Sequence, residues 1–208
     1  MPMMTGSSVF VFRDIEGKTG SVKDKRQTMD DRFNLALGSL EETLNRVLFA
    51  LTLSNLSAED APLIFMNSSF KDMTGCTDAQ LGQNCRFLQA EFPNYEARAE
   101  VRLALRERRR TQVILKNRRM DGSVFRNFLL LEYIGSYRGF PELALGTQFV
   151  LSKDEEDDLN AVPVKDGPLA QAQSAALRVR LERRRIASDS AVRLLQSWCV
   201  LNELTPEP

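Results

Sequence analysis

The chain has no histidine among its 208 residues. That absence removes Ser-His and Cys-His nucleophile pairs, zinc sites built on imidazole and any imidazole general base, so chemistry here has to be driven by other means. Cysteine is scarce: Cys76, Cys85 and Cys199 are widely spaced and odd in number, which suits a reducing compartment better than a disulfide scaffold. Without a CxxC pair there is no framework for structural zinc. Neither sign of charge is in excess, 28 Lys and Arg balancing 28 Asp and Glu, which argues against wholesale nucleic-acid binding or a polybasic membrane tether. Long apolar runs are missing too. The stretch from Val47 to Leu53 is far too short to cross a bilayer, and the first thirty residues mix Lys18, Lys23, Lys25 and Arg26 with Asp14, Glu16 and Asp24 without a signal-type apolar run. A cytoplasmic protein is expected.

The hydrophobic content, 43%, excludes a disordered polymer and fits one ordinary domain with appended helices. Residues 1–28 are rich in Gly, Ser, Lys and Asp and read as a flexible arm, with a short extended piece at Val9 to Phe12. Phe33, Leu37, Leu40, Leu44, Val47 and Leu48 form the stripe of an amphipathic helix over 29–47. Strands are expected at Phe49 to Asn55, Leu63 to Asn67, Gln112 to Arg119, Val124 to Ile134 and Leu143 to Leu151. Between the second and third, Thr77 and Gln80 stand at capping-box spacing, and Asn94 is placed to cap a helix from Tyr95 to about Arg108. The Asp121-Gly122 pair supplies the positive φ of a tight hairpin. Two strands, small helices and a three-strand meander make an α+β fold, a five-stranded antiparallel sheet with short helices on one face. Residues 153–168 read as an acidic, breaker-rich hinge, followed in 169–208 by two helices, Leu169 to about Ile186 and Ser190 to Leu204.

Residue types converge most densely at Gly82-Gln83-Asn84-Cys85-Arg86-Phe87-Leu88-Gln89. This octet resembles, without mismatch, the signature of the LOV (light-oxygen-voltage) domain, the flavin-binding branch of the PAS family. The resemblance covers roughly residues 48–152, and flanking helices are what short bacterial LOV photoreceptors tend to carry. Further positions agree with the family: Arg102, thirteen places after Gln89, where a second arginine meets the flavin phosphate; Asn117 and Asn127, where paired amides meet the ring's pyrimidine edge; and Gly146-Thr147-Gln148, whose glutamine faces the reactive side of the flavin. The departures are local. Cys76 stands where tyrosine is common, Ala50 and Ala61 where asparagines are often found, and the connection from Thr74 to Gly82 is one residue shorter than in plant relatives.

The resemblance implies a blue-light photoreceptor rather than an enzyme. It binds FMN and forms a reversible bond from Cys85 to flavin carbon 4a, with Asn84, Arg86, Leu88, Gln89, Arg102, Asn117, Asn127, Leu129, Leu131, Gln148, Thr52 and Ser54 around the cofactor. FMN is favoured over FAD because the linker after Gln89 lacks an insertion to house an adenine. Physical reasoning supports these roles. Arginine forks match phosphate; Arg98 and Arg102 share a helix face, as do Cys85 and Gln89; and neighbours such as Cys85 and Arg86 diverge by about 100° on an α-helix. A buried thiol stays protonated and is a poor ground-state nucleophile, so light must activate it. An amide has a donor end and an acceptor end, so Gln148 can rotate when the ring nitrogen gains a proton. The flanking helices are expected to form a homodimer, with Leu195, Trp198 and Leu201 as anchors, and to signal to a separate protein, without membrane or nucleic acid. The arginine runs Arg106 to Arg110 and Arg183 to Arg185 read as solvated faces or salt bridges. The rival functions are a flavin-dependent redox protein and a light-regulated DNA-binding protein.

Overall fold

A computed structural model describes residues 31–89, 91–135, 137, 141–160 and 168–203; the N-terminal arm lies outside them. Five strands form one antiparallel sheet in the order β2-β1-β5-β4-β3, with β1 Ala50–Asn55, β2 Leu63–Met66, β3 Thr111–Arg118, β4 Val124–Gly135 and β5 Leu143–Val150. The α+β expectation holds, each strand starting and stopping within two residues of its sequence-based range. Alternation gives the sheet two faces. Its inner face meets the short helices α2 (Ser68–Thr74) and α3 (Tyr95–Arg106) and two 3₁₀ turns, Asp78–Gln80 and Cys85–Gln89. Its outer face is covered by α1 (Asp31–Asn45) and by α5 (Pro168–Glu203), with α4 (Lys153–Asn160) leading into α5.

Burial explains why the flanking helices form. At 15 residues α1 is too short to persist alone, but Leu37, Leu40 and Leu44 pack with Leu51, Leu53, Leu143 and Leu145 of the sheet and with Ala191, Leu195 and Cys199 of α5. Each fully buried leucine stabilises by about 2 kcal/mol. Leu48, part of the expected stripe, is 96% exposed beyond the helix end. Leu195 and Trp198, expected as dimer anchors, are spent inside the protomer, Leu195 fully buried and Trp198 packed against the same cluster.

Three expectations about helices need correction. The C-terminal segment is one 36-residue helix, because the polar run that suggests a break finds partners: Ser188 Oγ donates to Thr147 Oγ1 at 3.0 Å, Asp189 pairs with Arg110 at 2.6 Å and Ser190 Oγ bonds back to the Ile186 carbonyl. The acidic hinge is helical over Lys153–Asn160. Ser152 and Glu155 form a reciprocal cap, Glu155 N donating to Ser152 Oγ and Ser152 N to Glu155 Oε2, and the acidic first turn suits the helix dipole. Burial pushes the Glu155 carboxyl up, but the Ser152 amide and the Arg184 guanidinium outweigh it and hold it low. Asn94 sits at the start of α3 with φ of 36° and caps nothing; its amide instead exchanges two hydrogen bonds with the Lys116 backbone, pinning α3 to β3. The Thr77 and Gln80 capping box forms as its spacing indicates.

Three arginines of the first run are absorbed by carboxylates. Arg108 pairs with Glu142, Arg109 with Glu100 and Glu107, and Arg110 joins Glu132 of β4 to Asp189 of α5. In the second run Arg184 pairs with Glu155 and Arg185 with Glu182.

One buried polar residue ties three elements together. Asn67, fully buried, accepts hydrogen bonds from Leu51 N of β1 and Phe70 N of α2, and donates from Nδ2 to the carbonyls of Leu44 at the end of α1 and of Phe49 before β1. Asn67→Ala orphans these groups and should cost about 3 kcal/mol or more of unfolding free energy, read as a lowered urea midpoint at unchanged slope.

Candidate functional site

Between the inner face and the short helices lies a cavity of about 140 Å³. Strand alternation supplies its floor: Asn117 from β3, Asn127, Leu129 and Leu131 from β4, Gly146 and Gln148 from β5, and Thr52 and Ser54 from β1. The helical side contributes Asn84, Cys85, Arg86 and Gln89 from the octet and Arg102 from α3. Twelve of the thirteen expected site residues thus converge on one slot. The exception is Leu88, which does not line it: this side chain is 1% exposed within the core cluster of Leu63, Met66 and Phe70. Within the octet Cys85–Gln89 form a 3₁₀ turn rather than an α-helix, so at three residues per turn Cys85 and Arg86 diverge by about 120°, and Leu88 enters the apolar cluster against which Cys85 also packs.

Sequence reasoning did not single out Leu115, Ala144, Val101 or Leu105 as slot residues, yet all four line it. The signal was available in the periods: Leu115 lies two before Asn117 and Ala144 two before Gly146 on their strands, while Val101 and Leu105 flank Arg102 on the face that also carries Arg98.

The floor is polar but incompletely paired. Asn117 and Asn127 are each 1% exposed, and among the described residues neither Oδ1 atom has a hydrogen-bond partner. Leaving such acceptors bare costs about 1–3 kcal/mol each, so a ligand edge carrying N–H donors fits them. Asn127 Nδ2 is engaged, donating to Gln148 Oε1 at 2.9 Å, and Gln148 Nε2 donates to Thr52 Oγ1 at 3.2 Å. Gly146 keeps this floor open, since a Cβ there would stand 2.6 Å from Thr52 Oγ1. At the mouth, Asp60 and Ala61 hold positive φ values of 66° and 46°, a strained conformation for residues other than glycine. Asn84 Nδ2 donates to the Asp60 carbonyl at 2.6 Å and Arg86 forms an ion pair with the Asp60 carboxylate, so the octet clamps this loop.

Cys85 lines the slot and packs against the cluster that holds Cys76. Burial pushes its thiol up to about 12, with Cys76 adding to the shift. Burial likewise raises Cys76, the Thr74 side chain opposing it. At neutral pH both sulfurs carry their protons.

An antiparallel sheet of this order with a ligand slot under short helices defines a PAS-type sensor domain. No family model matches the chain. It is 40% identical over 88 residues to the bacterioopsin transcriptional activator of Halobacterium salinarum, covering 42% of this chain and 13% of that protein. It is 38% identical over 96 residues to a blue-light photoreceptor of Listeria monocytogenes, covering 42% of this chain and 38% of that one. The chain therefore spans well under half the length of these two relatives. Against the crystal structure of the Rhodobacter sphaeroides LOV protein it is 34% identical, covers 78% of itself and 97% of that chain, and superposes with a TM-score of 0.55. Together with the Cys85 octet at the slot, this match shows that the chain belongs to the LOV family.

The thiol state is directly measurable. A pKa near 12 leaves about one molecule in 10⁴ as thiolate at pH 8, against about a quarter for a free cysteine. Iodoacetamide followed by peptide mass spectrometry should therefore modify Cys85 about a thousandfold more slowly than a small free thiol, the rate rising about tenfold per pH unit.

Proposed function

We propose that this chain is a blue-light receptor with FMN in the slot, in which light joins the Cys85 sulfur to the flavin ring. The observation that carries the reading is the pair of buried, unpartnered Asn117 and Asn127 oxygens in a slot also lined by a protonated thiol and three arginines, Arg86, Arg98 and Arg102. Such a lining fits a flat heterocycle with N–H groups at one edge and a phosphate at its far end. Asn117 and Asn127 would hold the pyrimidine edge, Leu115, Leu129 and Leu131 the ring faces, and Arg86 and Arg102 the phosphate, with Asn84 and Gln89 beside the sulfur. The short connection from Gln89 to Tyr95 offers little chain to enclose an adenine, which supports FMN over FAD.

A flavin held here would supply, on blue-light excitation, an electrophilic carbon, 4a, and a basic nitrogen, 5, and Cys85 would meet them with its sulfur and its proton respectively. The chain's own part is to keep Cys85 neutral until then, so that no dark reaction competes. Gln148 answers the moved proton by reversing its amide, which offers a donor at one end and an acceptor at the other.

The same strand carries the change outward. Thr147, the next residue on β5, is fully buried on the opposite face and accepts the Ser188 hydroxyl of α5. Away from the sheet α5 exposes Val179, Ile186 and Leu201, an apolar stripe at near-heptad spacing that suits a second copy of the chain. In this reading α1 and α5 form a homodimer whose geometry light alters, and a separate signalling protein reads it.

Cys85→Ala should retain yellow, bound flavin and lose the reversible bleach under blue light; a variant that still bleaches and recovers with the wild-type spectrum refutes the assignment. Ser188→Ala should retain the bleach but shrink the difference in oligomeric state between dark and illuminated samples, measured by light scattering on a sizing column.

A further inference from the structure

One hydrogen-bond chain crosses three strands on the slot floor. Asn127 of β4 donates to Gln148 of β5, and Gln148 donates to Thr52 of β1, at 2.9 and 3.2 Å. The three side chains are 1%, 3% and 5% exposed. Strand register brings Thr52 to this place: it lies opposite Gly146 in the β1–β5 pair, and its hydroxyl fills space that a side chain at 146 would take.

We propose that Thr52 is a positioning residue for the light cycle, acting through Gln148: its hydroxyl selects the dark orientation of the Gln148 amide and shortens the life of the reversed one. The inference rests on the light-receptor reading. While Asn127 presents N–H to Gln148 Oε1, the N–H end of Gln148 has to face Thr52. A hydroxyl accepts and donates, so the chain can be re-paired in reverse. Asn127 would turn its amide as well, its Oδ1 meeting Gln148 Nε2 and its Nδ2 facing the ligand edge in its place, and Thr52 would donate to Oε1.

The two orientations depend unequally on that hydroxyl. Without it the dark orientation leaves a buried N–H with no acceptor at β1, whereas the reversed one leaves a carbonyl short of one donor. Orphaned N–H groups are the rarer of the two in folded proteins and under-satisfied carbonyls the better tolerated. Thr52 therefore stabilises the dark arrangement more than the reversed one and speeds the return to it.

The test uses the flavin-loaded full chain as wild type, as Thr52→Val, which keeps the shape and removes the hydroxyl, and as Thr52→Ser, which keeps the hydroxyl. After a blue pulse Thr52→Val should regain its dark absorption about fivefold more slowly, the worth of one neutral hydrogen bond, while Thr52→Ser stays within about twofold of wild type. In the dark, the Gln148 side-chain amide protons should exchange faster with solvent in Thr52→Val than in wild type or Thr52→Ser, read by nitrogen-edited NMR. Equal recovery rates with unchanged Gln148 amide exchange in Thr52→Val, or a serine variant that behaves like the valine one, overturn the proposal. Thr52→Ala substitutes for Thr52→Val should the latter misfold, with the same expectations. A wild-type protein that stays colourless with flavin, or never bleaches, removes the light-receptor reading itself and is seen before any variant is compared.

Discussion

Neighbouring residues on a β-strand must face opposite sides of the sheet, and at Thr147 and Gln148 this constraint joins the slot to the helices. Gln148 lies in the slot floor while Thr147, one peptide away, bonds to Ser188 of α5. No long relay is needed: a shift of β5 that accommodates one side chain is felt by the other. The sheet is thin, and both faces are occupied, which is what makes a local rearrangement costly to ignore.

The slot works by withholding partners. Among the described residues most buried polar side chains are satisfied, Asn67 thoroughly so through four hydrogen bonds that join three elements. Against that background the oxygens of Asn117 and Asn127 lack hydrogen-bond partners together in the lining of one slot. Cys85 is withheld in another sense, since the dry surroundings that raise its thiol suppress ordinary nucleophilic chemistry. With no histidine in the chain, no imidazole can assist it.

The helix α5 serves two surfaces. Its inner face, with Leu195 and Cys199, completes the core over the sheet, and Arg110 fastens it by bridging Glu132 and Asp189. Its outer face keeps Val179, Ile186 and Leu201 in solvent. Thus the residues expected to anchor a dimer divide: Leu195 is consumed by the protomer, while Leu201 is 69% exposed.

The strands were legible from local pattern, since β-branched and alternating apolar residues bounded by Pro62, Asp121-Gly122 and similar breakers leave little choice of period or edge. The sequence also singled out one sulfur, because Asn84, Cys85 and Arg86 are contiguous with Gln89 three places on, and their order is the signal. It hid whatever depends on partners distant in the chain. The continuity of α5 through Ser188 and Asp189 exists because Thr147 and Arg110 satisfy those side chains. The idle cap at Asn94 follows from Lys116 offering its amide better bonds, and the inward turn of Leu88 follows from 3₁₀ winding over an apolar cluster. The pairing of Gln148 with Thr52, 96 residues away, is of the same kind. Local pattern fixes the period of an element and the order of its chemical groups; only the folded chain decides which polar atoms meet.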